Sequence, residues 1–206
     1  MTGTLFIVAT PIGNLNDITF RAVDVLKNVD IVLAEDTRHS KKLFTHFEIS
    51  TPIRAFHEHN EREKTKAIID EIHSGKSIAL ISDAGTPLIS DPGYYLVANA
   101  TKEGIDVTPI PGPSALITAL SASGLASDSF TFFGFLPSKQ TARMKFLQKL
   151  ISNTETIIFY ESPKRILATL TDMLSIFGGE REVCLAKELT KSFETIHTDK
   201  IPSLIE

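Results

Sequence analysis

The sequence predicts an α/β protein made of two α/β domains. Three observations carry that reading. From Leu5 to Ile110, apolar runs of four or five residues alternate with stretches of helical spacing, the pattern of a mostly parallel sheet covered on both faces. Pro111-Gly112-Pro113 then forbids regular structure and marks a boundary, giving domains at residues 1–111 and 112–206. Beyond it, strands and helices resume as a second α/β or α+β unit. With 206 residues, the chain has ample material for both cores.

Taken in order, Leu5 to Ala9 is a first strand, and Thr10-Pro11-Ile12-Gly13-Asn14 a stiff turn after it. Ile18, Ala22, Val25, Leu26 and Val29 recur at helical spacing. Ile31 to Ala34 is a second strand ending in Glu35-Asp36-Thr37-Arg38, followed by a short helix. After Pro52 to Phe56 comes a polar cluster, His57-Glu58-His59-Asn60-Glu61. Residues 61–74 read as an exposed amphipathic helix with Ala67, Ile68, Ile69 and Ile72 inward, and Gly75 stands where a C-cap belongs. Ser77 to Ile81 is a buried strand, Pro92 and Gly93 open a helix that runs to Glu103, and Val107 to Ile110 is a strand.

In the second half, Ser114 caps a helix from Ala115 to Gly124. Phe130 to Phe135 is a strand by its aromatic content, 139–151 a helix, and Thr156 to Tyr160 a strand. A helix from Lys164 to Phe177 ends at Gly178-Gly179, and a strand from Glu182 to Ala186 runs into Lys187-Glu188-Leu189-Thr190-Lys191.

Bulk properties narrow the function classes. No apolar run approaches the roughly 20 residues of a membrane span. The N-terminus lacks a basic signal region, and the single cysteine, Cys184, lies in an apolar run as a small core residue. The expectation is a cytoplasmic protein without disulfides. A net charge of −4 argues against indiscriminate binding to naked nucleic acid.

The densest chemistry lies between Ser82 and Gly93, a long loop at the carboxyl end of a central strand, where open α/β sheets place ligands. It carries Asp83, Asp91, three hydroxyls and two prolines. Read singly, these residues suit a rigid turn whose side chains cap backbone amides; together they suit a site. The chain has neither G-x-G-x-x-G nor G-x-x-x-x-G-K-[ST], so no nest of glycine amides awaits a pyrophosphate. Proline-stiffened backbone, small residues and the apolar Ile12, Leu88 and Ile89 suit a flat nucleoside without phosphates. Carboxylates at its edge favour a cationic centre.

Eight segments also carry a resemblance. Val8 to Leu15, Ala34 to Arg38, His57 to Glu61, Ser82 to Gly93, Pro111 to Ala115, Gly134 to Pro137, Phe159 to Pro163 and Ala186 to Lys191 occur in register. Together they resemble the 16S rRNA cytidine 2′-O-methyltransferases of the tetrapyrrole methylase superfamily. The resemblance implies S-adenosylmethionine in a cleft between two α/β domains, a homodimer, and a ribose 2′-hydroxyl of the decoding centre in the 30S subunit as acceptor. It implies cofactor contacts from Pro11, from Gly85, Thr86 and Ile89, from Ser114 and Ala115, and from Tyr160 and Ala186. The family pattern continues past Glu206 into a terminal strand, so the expectation is a C-terminal domain that stops short of it.

The 2′-hydroxyl needs its proton accepted. Asp36, His57, His59 and Glu161 stand at or beyond strand ends, with Asp36 and His59 placed first; an N-capped helix start with a local ion pair explains Glu35 to Arg38 equally well. Arg38 is also a candidate to grip an RNA phosphate. His57 and His59 have no third ligand at a telling spacing, so no metal is expected. Lys139 and Arg143, on a helix without acids, are the other RNA candidates, although such a run also suits a solvated face. A tetrapyrrole or protein side-chain methylase, and a silent RNA- or nucleotide-binding module, are the alternatives.

Overall fold

The computed structural model describes residues 2–206 and divides into two compact units, Met1–Ala115 and Leu116–Glu206. The first unit is a five-stranded sheet of order β3-β2-β4-β1-β5. Its strands are β1 (Thr4–Val8), β2 (Ile31–Ala34), β3 (Ile53–Ala55), β4 (Ile78–Ile81) and β5 (Asp106–Ile110), and every pairing is parallel. The intervening helices are α1 (Phe20–Asn28), α2 (Thr37–His46), α3 (Glu61–His73) and α4 (Tyr94–Lys102).

Side chains alternate between two cores, as a strand's period of two requires. Leu5, Ile31, Leu33, Ile78 and Leu80 face α3 and α4, meeting Ile68, Ile69, Ile72, Leu96 and Ala100. Val8, Val32, Ala34, Ala79 and Ile81 face the other way, onto Ala22, Leu26, Leu43 and Phe44 of α1 and α2. This double covering explains why β2 and β4 are apolar at every position.

In the second unit, α5 (Ala115–Ala122) precedes two separate strand pairs. β6 (Phe130–Phe135) pairs with β7 (Thr156–Tyr160) in parallel, with a register shift between Phe132 and Phe135; Gly134, at φ 66°, sits in that shift. β8 (Glu182–Lys187) and β9 (Thr195–Lys200) are antiparallel. Helices α6 (Gln140–Gln148), α7 (Ile166–Phe177) and α8 (Ile201–Ile205) enclose a core of Leu136, Leu147, Leu170, Met173 and Ile201.

Several boundaries differ from the sequence reading. Ala67 is exposed, and the inward face of α3 is Glu61, Thr65, Ile68, Ile69 and Ile72. Pro92 precedes α4, and Gly93 is its N-cap at φ 125°, where an added Cβ would lie 2.6 Å from Leu80 Cδ2. Helix α5 stops at Ala122, and α6 is shorter than 139–151. The strand β9 carries no regular apolar alternation, and α8, with Ile201, Leu204 and Ile205 at helical spacing, is a single short turn that the sequence reading does not include.

Candidate functional site

The C-terminal edge of the parallel sheet gathers the loops after β1, β4 and β5. Thr10 and Gly85 form an isolated antiparallel bridge: the Thr10 amide donates to the Gly85 carbonyl (2.9 Å) and the Gly85 amide to the Thr10 carbonyl (3.0 Å). The Thr10 hydroxyl donates to the Ser82 carbonyl at 3.1 Å, and the Ser82 hydroxyl to the Gly85 carbonyl at 3.2 Å. Thr86 Oγ1 donates to the Pro113 carbonyl at 3.1 Å, joining the third loop. Gly112 packs so closely that an added Cβ would meet Ala9 Cβ at 3.0 Å.

Gly85 has φ +87°, and an added Cβ would stand 3.4 Å from Ile12 Cγ2 and 3.7 Å from the Pro113 carbonyl. Two further residues of this loop, Leu88 (φ 72°) and Ser90 (φ 67°), hold left-handed backbone without being glycine. Such conformations cost of order 1–3 kcal/mol each and persist where surrounding structure imposes them, often at functional sites. Pro11, Gly85, Thr86, Ile89, Ser114 and Ala115 therefore belong to one linked set of loops.

The ends of β2 and β3 add charge to the same edge. Asp83 Oδ1 accepts the Asp36 amide at 3.0 Å, tying the β2 and β4 loops together. Burial first, and then the carboxylates of Asp83, Asp91, Glu58 and Asp36, hold the Glu35 carboxyl above its ordinary range. Asp91 is raised as well, by burial foremost and by Asp83. Asp36 moves the other way: the Arg38 amide, 2.8 Å from Oδ1, holds it below the usual carboxylate range. Asp36 is the N-cap of α2. Among the described residues, Glu35 has no ion-pair partner and accepts no hydrogen bond.

Helix N-termini at this edge are the usual seats for phosphate. Three of them are closed from within. Thr19 Oγ1 caps α1 by accepting the Ala22 amide, and Asp36 caps α2. At α4, a single oxygen, Glu61 Oε1, accepts the amides of Gly93 (3.1 Å), Tyr95 (2.9 Å) and Leu96 (3.2 Å). Glu61 is 8% exposed, a buried cap and not part of a solvated polar turn. With those three N-termini capped and the Glu35, Asp83 and Asp91 carboxylates beside them, the edge favours neutral or cationic groups over anions, the chemistry expected of a phosphate-free nucleoside carrying positive charge.

The remaining residues read from sequence lie as follows. His59 is exposed, its ring edge-on to His57 at 6.0 Å between centroids. Asn60 fixes the His57 ring: Asn60 Oδ1 accepts the His57 amide, which turns its Nδ2 towards His57 Nε2 at 3.0 Å. Arg38 extends into solvent, only loosely paired with Asp36 at 3.4 Å. No cluster of three or more metal-ligating side chains occurs among the described residues. Tyr160 and Ala186 belong to the second unit, on β7 and β8; the Tyr160 ring packs edge-on to Phe132 and Phe135.

Two expectations in the second unit are corrected or displaced. Arg143 is buried, not an RNA contact: its guanidinium pairs with Asp172 at 2.7 Å, both side chains under 5% exposed, while Gln140 Nε2 donates to the same carboxylate. Lys139 lies exposed at the N-cap of α6. Glu161 is no base. Burial alone would raise its carboxyl, but bonds from Arg165, Thr169 and the Ser162 amide outweigh that and hold it low.

The family described as Tetrapyrrole (Corrin/Porphyrin) Methylases matches residues 4–205. The chain is 59% identical over 201 residues to the ribosomal RNA small subunit methyltransferase I of Vibrio cholerae, covering 98% of this chain and 70% of that one. It is 58% identical to the protein of the same name from Pseudomonas aeruginosa (95% and 70% covered) and 51% identical to that of Escherichia coli O157:H7 (98% and 71%). In fold it resembles a solved diphthine synthase, with TM-score 0.72 at 15% identity over 98% of this chain and 84% of that one. It also resembles the uroporphyrin-III-C-methyltransferase of Thermus thermophilus, with TM-score 0.65 at 19% identity over 99% and 86%. With a match across almost its whole length and relatives well above half identical, the chain belongs to the tetrapyrrole methylase family.

Proposed function

We propose that this chain transfers a methyl group from S-adenosylmethionine to a ribose 2′-hydroxyl of 16S rRNA, at a cytidine of the decoding centre in the assembled 30S subunit. It does so as a cytoplasmic homodimer. The reading is supported above all by one observation: a carboxylate-lined loop edge, in a chain 51–59% identical to relatives named rRNA small subunit methyltransferases.

S-adenosylmethionine supplies a methyl group already activated on a positively charged sulfur. The first unit's edge fits such a molecule, with bare backbone at Gly85, apolar cover from Ile12 and Ile89, and carboxylates at its rim. Pro11, Gly85, Thr86, Ile89, Ser114 and Ala115 would hold it there.

Alignment of donor and acceptor supplies most of the rate in an in-line displacement. The chain's chemical task is the hydroxyl proton. Glu35 suits it better than Asp36 does: Asp36 spends its acceptor capacity on the α2 amides, whereas Glu35 is uncapped and pushed towards the proton-bound form. Arg38 and Lys139 are exposed cations for RNA phosphates, and His59 a polar contact at the β3 end.

Two measurements test the reading. Calorimetry with S-adenosylmethionine is expected to show one site per chain, and absence of binding overturns the enzyme assignment. Methyl incorporation is expected with undermethylated 30S subunits and not with a tetrapyrrole acceptor; the reverse selectivity overturns the substrate.

A further inference from the structure

The rim of the first unit's loop edge exposes aromatic rings where lysines would serve a phosphate backbone. Tyr94, the first residue of α4, is 76% exposed although it directly follows the Ser82–Gly93 loop. Tyr95 beside it is 37% exposed, and the Arg62 guanidinium lies over its ring, 5.4 Å from the centroid. Ile89, 39% exposed, adds apolar surface from the same loop.

This face is rigidly mounted. Glu61 opens α3 and its Oε1 binds the amides that open α4, so the N-termini of both helices are fastened at one atom. Gly93, whose Cβ position is filled by Leu80 and Leu88, allows the loop no slack before Tyr94. A large exposed ring on a fixed mount loses little freedom when something stacks on it. Asp83 and Asp91 set negative charge on the loop that leads into Tyr94, which disfavours a phosphate at that spot and favours a grip on a base. Single-stranded RNA is recognised in that way, by stacking on aromatic rings and guanidinium planes.

We propose that Tyr94, with the Arg62-covered Tyr95 next to it in sequence, is a stacking platform for an unpaired base of the RNA substrate beside the target ribose. The inference rests on the rRNA reading above and adds a specificity-determining contact to it.

The test uses the full chain as wild type, Tyr94→Ala and Tyr94→Phe, with undermethylated 30S subunits as the probe. Tyr94→Ala is expected to weaken subunit binding, and raise the KM for subunits, by about five- to hundredfold. Tyr94→Phe keeps the ring and is expected to bind as wild type does. S-adenosylmethionine affinity and thermal unfolding are expected to be unchanged in both, since the side chain is exposed. The platform is overturned if Tyr94→Ala binds subunits normally. It is also overturned if Tyr94→Phe loses as much, which assigns the role to the hydroxyl, or if Tyr94→Ala instead alters the oligomeric state by light scattering. Failure of the wild type to bind subunits at all overturns the rRNA reading first, and the platform with it.

Discussion

Glu61 offers the sharpest test of how this chain holds its loop edge. Three amides converge on one oxygen, Oε1, and two of them, those of Gly93 and Leu96, are buried. Glu61→Ala leaves these donors without a partner. A buried unsatisfied donor costs about 1–3 kcal/mol; with water reaching the part-buried Tyr95 amide, the total comes to about 3 kcal/mol. Glu61→Gln behaves differently. Its amide oxygen can occupy the Oε1 position and keep all three bonds, so only the negative charge at the α4 N-terminus is lost, about 0.5–1 kcal/mol. At about 2–4 °C per kcal/mol for a chain of this length, the expected falls in Tm are about 6–12 °C for alanine and about 1–4 °C for glutamine. Differential scanning fluorimetry resolves the two, and urea titration checks the order. Because Gly93 ends the site loop, S-adenosylmethionine affinity should fall in the same order. Equal destabilisation by the two substitutions would refute the reasoning, since it would mean that the charge and not the acceptor geometry fastens the helix. A loss below about 1 kcal/mol for alanine would refute it too.

Gly85→Val places a β-branched residue at φ +87°, which costs at least about 1–2 kcal/mol, and a Cβ against Ile12; calorimetry should show loss of S-adenosylmethionine binding with the fold weakened but retained. Arg143→Ala strands the Asp172 carboxylate in the second unit's core and should destabilise by about 3–5 kcal/mol, whereas Arg143→Met combined with Asp172→Leu should recover most of that in denaturant titrations. Glu35→Gln should lower kcat by about 10²–10⁴-fold while leaving cofactor affinity intact. The same variant should be more stable than wild type at neutral pH. The folded-state carboxyl is raised, so the folded protein loses stability as pH climbs through the ordinary carboxylate range to the raised value; glutamine escapes that loss, and the difference should vanish at acid pH in pH-dependent unfolding.

What the sequence disclosed depended on how far apart the deciding partners stand. The alternation of Leu5 with Phe6, or Leu33 with Ala34, is a local pattern, and it predicted a doubly covered parallel sheet correctly. Asp36 was legible for the same reason, because its cap partner Arg38 is two residues away. Glu61 was not: its partners Gly93, Tyr95 and Leu96 lie more than thirty residues on, so it read as one more polar residue after His57. Arg143 misled similarly, since nothing beside it announces that Asp172, 29 residues away, claims its guanidinium. In β9 the exposed polar residues outnumber Ile196, and the segment TIHTDK lacks the period-two alternation that marks a strand.

The carboxylates of the first unit resolve into distinct roles by one physical criterion, the number of N–H groups each has collected. Glu61 holds three backbone amides and is a fastening. Asp36 holds the Arg38 amide and is a helix cap with a strengthened hold on its charge. Asp83 holds the Asp36 amide and joins two loops. Glu35 holds none among the described residues, yet sits half-buried among the others, so its ionised form has only repulsion to meet. A hydrogen-bond donor brought against it, from solvent or from a bound substrate, relieves it. On the reading proposed above, the substrate hydroxyl is such a donor, and its proton is drawn off while a cationic methyl donor lies against the neighbouring loops.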